Sequence, residues 1–157
     1  MVRLIESLVD RIKVESGEFS LEDLDGASGQ PEGYPSITEL AAQASEESWF
    51  VTTANLAILT SPHTYHVVDV TLQLWDGPPP ADESAGKKDI ITTLFSSSGR
   101  LRLVQTLGRP SSKVMDLHGE MREWCVRAVF RPLDREPSDA YPPEGLEAYL
   151  LQFWPST

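Results

Sequence analysis

The sequence predicts an all-β chain, an antiparallel β-sandwich of about seven or eight short strands with one short helix near residues 37–47. Three observations predict it. Residues 64–76 and 121–130 alternate apolar and polar side chains with a period of two, the spacing that puts one row on each face of a strand. Turn-forming glycine, proline and serine recur between short apolar runs. Helical periodicity is confined to one stretch, so the strand–helix alternation of a parallel sheet is missing.

The clearest strand is Thr64 to Asp76, where Val68, Val70, Leu72 and Leu74 share one parity and Asp69, Thr71, Gln73 and Trp75 the other. Asp76-Gly77 and Pro78-Pro79-Pro80 end it, because proline cannot donate to a ladder. It reads as a central strand of a half-solvated antiparallel sheet. Upstream, Ile12-Lys13-Val14 and Phe19-Ser20-Leu21 alternate on opposite parities around Ser16-Gly17, as one bent strand or a short hairpin would. Lys13, Glu15, Glu18 and Glu22 then point outward. Gly26 to Gly33 has loop composition. Ser36-Ile37-Thr38-Glu39 reads as a capping box opening a helix over roughly 38–47, with Ile37, Leu40 and Ala41 as its apolar stripe.

Trp49 to Leu59 forms a further β run that Ser61-Pro62-His63 breaks, which predicts a hairpin with the strand at 64–76. Ala81 to Lys88 has loop composition. Ile90–Phe95 and Leu101–Val104 predict a second hairpin across Ser96-Ser97-Ser98-Gly99. Val114–Leu117 is a short apolar segment. In 121–130, Trp124, Val126, Ala128 and Phe130 oppose Glu123, Cys125 and Arg127. Arg131 to Gly145 is a long connection, and a last strand runs from Glu147 to Trp154. No repeat or boundary divides the chain, so residues 1–157 form one domain, long enough to bury a core without staples.

The formal charge of −11 is concentrated in residues 1–50, which hold 11 acids against 3 bases, while residues 51–157 hold 13 against 10. That balance argues against binding nucleic acid, where Lys and Arg supply the affinity, and permits a basic protein partner. No apolar run is long enough to span a bilayer, so no membrane role is expected. The acids within the apolar start of the chain argue against a signal peptide. One cysteine, Cys125, excludes an internal disulfide, and cytoplasmic localisation is expected.

Specific chemistry is sparse. His63 and His66 have H-x-x-H spacing, but on one strand they would face opposite sides and would share a metal only if the loop curled. Cys125 lies between Glu123 and Arg127 with no histidine nearby in sequence to act as base. There is no nucleophile elbow, P-loop or dinucleotide fingerprint, and the carboxylate pairs Glu22-Asp23, Glu46-Glu47 and Asp82-Glu83 carry no sign of convergence. The expectation is therefore a non-enzymatic chain with no catalytic residue, metal or cofactor. Trp75, on the polar parity of its strand, is either an exposed anchor or a residue packed under the 77–88 loop. The second candidate surface is the acidic edge of Glu15, Glu18, Glu22, Asp23 and Asp25.

Two resemblances bear on these elements. Leu72-Gln-Leu-Trp-Asp-Gly-Pro-Pro-Pro80, Ser98-Gly-Arg-Leu-Arg-Leu103 and Tyr149-Leu-Leu-Gln-Phe-Trp-Pro155 resemble phrases of uncharacterised small β-rich proteins of high-GC Gram-positive bacteria. The order of elements resembles the competence protein J family, whose namesake inhibits the DNA-entry nuclease. There too an N-terminal β segment precedes a short helix and a set of strands, and Asp116-Leu117-His118-Gly119-Glu120 resembles the family's turn before a strand. The resemblance implies a sandwich and a binding, inhibitory or immunity-like protein, and assigns no inhibitory residue by position. The alternative from the residues themselves is a sandwich holding a small ligand, a sugar or lipid, between its sheets or under the 77–88 loop.

Overall fold

In the computed structural model the chain is mostly β, and residues 1–26, 31–81, 88–133 and 139–157 are described. The described strands are β1 (Leu4–Val14), β2 (Glu18–Asp23), β3 (Phe50–Thr53), β4 (Leu56–Thr60), β5 (His66–Trp75), β6 (Lys88–Ser96), β7 (Arg100–Gln105), β8 (Met115–Asp116), β9 (Arg122–Pro132) and β10 (Glu144–Pro155). One sheet has the order β1-β5-β10-β9-β6 and the other β3-β4-β2-β7-β8. Parts of the expected loops at 26–33, 81–88 and 131–145, with the Asp82-Glu83 pair, lie outside the described residues.

The alternation drives the layering. Along β5, Val68, Val70, Leu72 and Leu74 are buried while Asp69 is exposed. Trp124, Val126 and Ala128 of β9 and Tyr149, Leu151 and Phe153 of β10 meet Phe19, Leu21, Leu59, Leu101 and Leu103 of the other sheet in one core. The two apolar rows predicted for 64–76 and 121–130, and the inward row of the strand expected over 147–154, thus line one sheet.

Several expectations are corrected. Among the described residues there are ten strands rather than seven or eight. The run at 49–59 is two strands, because Asn55 turns the chain at φ 67°, a left-handed conformation that asparagine tolerates without glycine. The first strand begins at Leu4; its inward row of Leu8, Asp10, Ile12 and Val14 is interrupted by a buried aspartate, which hides the period. The 64–76 strand lies inside a mixed sheet, not a purely antiparallel one, since it pairs antiparallel with β1 and parallel with β10.

Both predicted hairpins at 49–76 and 90–104 are sheet crossings instead. β4 belongs to one sheet and β5 to the other, and the same holds for β6 and β7. Serine side chains hold the crossings open. Ser96 and Ser98 donate to buried Asp23, and the Ser97 amide donates to Asn55 Oδ1 at 2.8 Å, so the turn after β6 is drawn onto the opposite sheet. Gly99 packs so tightly there that a Cβ would lie 2.1 Å from the Gly119 carbonyl oxygen, and its φ of 75° also favours glycine. Between β1 and β2, Ser16 and Gly17 both take positive φ in a two-residue turn, after which the strands part into different sheets.

The helix α1 (Ile37–Gln43) forms where its cap predicts. Ser36 Oγ accepts from the Glu39 amide at 3.1 Å and Glu39 Oε1 from the Ser36 amide at 3.3 Å. It stops at Ala44 rather than 47, and buries Leu40 beside β3. Among the described residues no helix is long and apolar enough to cross a membrane.

Candidate functional site

The acidic edge divides once it folds. On β2, Phe19, Leu21 and Asp23 face inward, so Glu18, Ser20 and Glu22 share the outer face. Glu15 sits at the preceding turn, whose backbone carbonyls of Glu15 and Glu18 both accept from Thr106 Oγ1. The carboxylates of Glu15, Glu18 and Glu22 make no hydrogen bond or ion pair among the described residues; Arg102 stands opposite Glu22 in register without reaching it. Asp23 is 2 % exposed and fully engaged, taking hydrogen bonds from Ser96, Ser98 and the Asp25 amide. Asp25 is exposed and accepts from Ser97 Oγ at 3.0 Å. Trp75 lies on the other sheet, half-buried, with its indole N–H donated to Gln73 Oε1 at 2.9 Å. The six predicted contact residues therefore form one outward acidic face (Glu15, Glu18, Glu22), one turn (Asp23, Asp25) and one remote tryptophan.

Beside the acidic row the outer face of this sheet is concave. Ser20 pairs with Ile58 on one side and Val104 on the other, and Ile58 pairs in turn with Val51, so a small residue sits in a row of branched ones. Ile37, 58 % exposed at the first turn of α1, lines the helix side. The result is a groove of about 190 Å³, lined by Ile37, Leu56 and Ile58 with Glu18 and Glu22 on it. The helix that creates this wall was legible in the sequence; the groove was not, because it depends on which strand lies beside β2.

A second cluster was missed. His66, Glu147, Ser61 and Tyr149 are all buried at one end of the core. Ser61 Oγ donates to Glu147 Oε1 at 2.5 Å and Tyr149 OH donates to the same oxygen at 2.9 Å. With its one proton given to Glu147, Ser61 can only accept from His66 Nε2 at 2.9 Å, so that nitrogen carries the hydrogen. This inverts the polarity of a nucleophilic triad, where the imidazole takes the serine proton. The cluster is a buried structural network. Burial pushes the Glu147 carboxyl up, but hydrogen bonds from His66, Ser61 and Tyr149 outweigh it and hold the group below its ordinary value. Burial and the neighbouring Glu147 charge push the Tyr149 phenol far up. The signal was present: His66 shares the parity of Val68 and Val70, and Glu147 that of Tyr149 and Leu151.

The remaining candidates separate in space. The loop does curl, bringing the His63 and His66 rings to 5.3 Å between centroids, with His66 Nε2 bonded to Ser61 and its Nδ1 buried without a partner among the described residues. Among the described residues no three metal-ligating side chains converge. Cys125 is partly exposed on the outer face of its sheet, opposite Thr93 and Trp154 in register. His118, bonded to Glu6 at 2.9 Å, belongs to another surface. At the Trp49–Phe130 end the cavity holds about 10 Å³, room for one water and not for a sugar or lipid.

Among the described residues, two five-stranded sheets, one short capped helix and chain crossings between the sheets define a fold class that two solved structures share nearly end to end. One is ComJ from Bacillus subtilis, described as an inhibitor of the DNA degrading activity of NucA: TM-score 0.62 and 9 % identity, covering 99 % of both chains. The other is crocagin biosynthetic gene J, with TM-score 0.54 and 16 % identity over 98 % of this chain and 100 % of that one. At these identities the likeness is one of fold. No family model and no curated protein sequence matches the chain.

Proposed function

We propose that the chain is a non-enzymatic β-sandwich that binds a basic protein, as an inhibitor or immunity-like module, through the outer face of β2. The observation that carries this reading is the row of Glu15, Glu18 and Glu22, whose carboxylates lack partners among the described residues while the neighbouring acids Asp23 and Asp25 are bonded into a turn. Unpaired charge on one sheet face, beside apolar groove residues, is available to steer and then hold a partner of opposite sign. The fold it shares with ComJ supports the same direction, since that protein inhibits a nuclease. A cytoplasmic, basic nuclease or toxin is the partner class that fits.

The test is capture from lysate of the source organism at low and at moderate salt, repeated with the E15Q/E18Q/E22Q variant. A basic protein held by the native chain at low salt, released at higher salt and absent from the variant is the expected result. The same protein retained equally by the variant would refute the acidic face as the contact.

A further inference from the structure

The groove narrows the chemistry of the partner. Resting on the reading above, we infer that β2 recognises an extended segment with the pattern basic–x–aliphatic–x–basic. Glu18, Ser20 and Glu22 occupy alternate positions of one strand, so their side chains leave the same face at intervals of about 6.7 Å. The small Ser20 makes a dip beside Ile58, with Leu56 and Ile37 completing an apolar lining. Carboxylates unpaired among the described residues stand one step up and one step down the strand from that dip.

An extended chain lying along β2 has the same repeat, because its own side chains also alternate at about 6.7 Å for every second residue. Its central aliphatic side chain fills the dip over Ser20, and the two flanking Lys or Arg groups reach Glu18 and Glu22. The match is one of period as well as of charge. A helix would place residues three or four apart on one face at about 5–6 Å and would meet the acids out of step. An acidic or purely polar segment lacks one of the two complements. Contact is face to face, through side chains, so it needs no open strand edge.

The probe is a nine-residue peptide, Lys-Ser-Leu-Ser-Lys-Ser-Leu-Ser-Lys, compared with its all-serine counterpart in which both leucines are replaced. Binding to the full chain is followed by fluorescence anisotropy and by methyl shifts of Ile37 and Ile58 in NMR. The leucine peptide is expected to bind at least tenfold more tightly than the serine peptide and to move both methyl signals. Ser20→Trp, which fills the dip from an outward strand position, is expected to remove that tenfold advantage, as is Ile58→Ser, while circular dichroism stays native. Equal binding of the two peptides, reduced by E18Q/E22Q, would overturn the groove and leave the acidic-face reading standing. Absence of binding by both peptides would also overturn the inference, while the acidic face is judged separately by capture of a whole protein.

Discussion

Asp23 and Glu18 are five residues apart and both acidic, yet parity gives them opposite fates. Asp23 shares the row of Phe19 and Leu21, and an acid on an apolar row must find donors inside the fold. Ser96, Ser98 and the Asp25 amide supply them. Asp23→Ala strands several buried donors and is expected to cost about 3 kcal/mol in chemical denaturation, whereas Glu18→Gln should change stability by less than about 0.5 kcal/mol. The same rule makes Asp10, His66 and Glu147 readable in retrospect as buried polar groups. Their rows were visible in the sequence; their partners were not, because Ser61 lies 86 residues from Glu147. Gly99→Ala should be more damaging still, by more than about 3 kcal/mol, since a methyl group there meets a backbone carbonyl that has no room to retreat. Differential scanning fluorimetry ranks these variants directly.

Among the elements, α1 shows how much a local signal can specify. Its Ser36–Glu39 box is as the sequence predicts, and Ser36→Ala should lower stability by about 1 kcal/mol and loosen the wall that Ile37 gives the groove. Strand pairing had no such local signal. Alternation says which face is buried and nothing about which strand lies alongside, so turns at 61–65 and 96–99 that look like hairpin loops carry the chain between sheets. The long edge strand β1 illustrates a further device. Ile5 and Val9 are exposed on it, and Lys113 Nζ donates to the Val9 carbonyl at 2.8 Å, with Ser111 bonded to Asp10 and His118 to Glu6. A lysine on a free carbonyl discourages another chain from pairing there. Lys113→Ala is expected to raise self-association in sedimentation velocity, with little change in melting temperature.

For the molecule as a whole, two titrating groups shape stability against pH in opposite directions. The Glu147 carboxyl is held below its unfolded value of 4.5, so its contribution is complete above that pH and is lost as pH falls through the lower native value. His118 is raised above 6.5 by its hydrogen bond to Glu6 and the charge of Asp116, so its contribution is complete below 6.5 and is lost as pH rises through the native value. Equilibrium denaturation against pH should show the acid limb weaken in Glu147→Gln and the limb above 6.5 flatten in His118→Ala. Because His118 is exposed, salt should shrink the second effect. The mostly β character and the acidic N-terminal third were legible at this scale from alternation and charge. The division of that acidity into a bonded turn and an unpaired face required the register.

The association rate of the purified partner reports on that outward acidic face. The rate with the native chain is expected to fall steeply as ionic strength rises, and E15Q/E18Q/E22Q to slow it by about tenfold at low salt with a flatter salt dependence. A variant that associates as fast as the native chain, with the same dependence on salt, would contradict the assignment of partner binding to the outer face of β2.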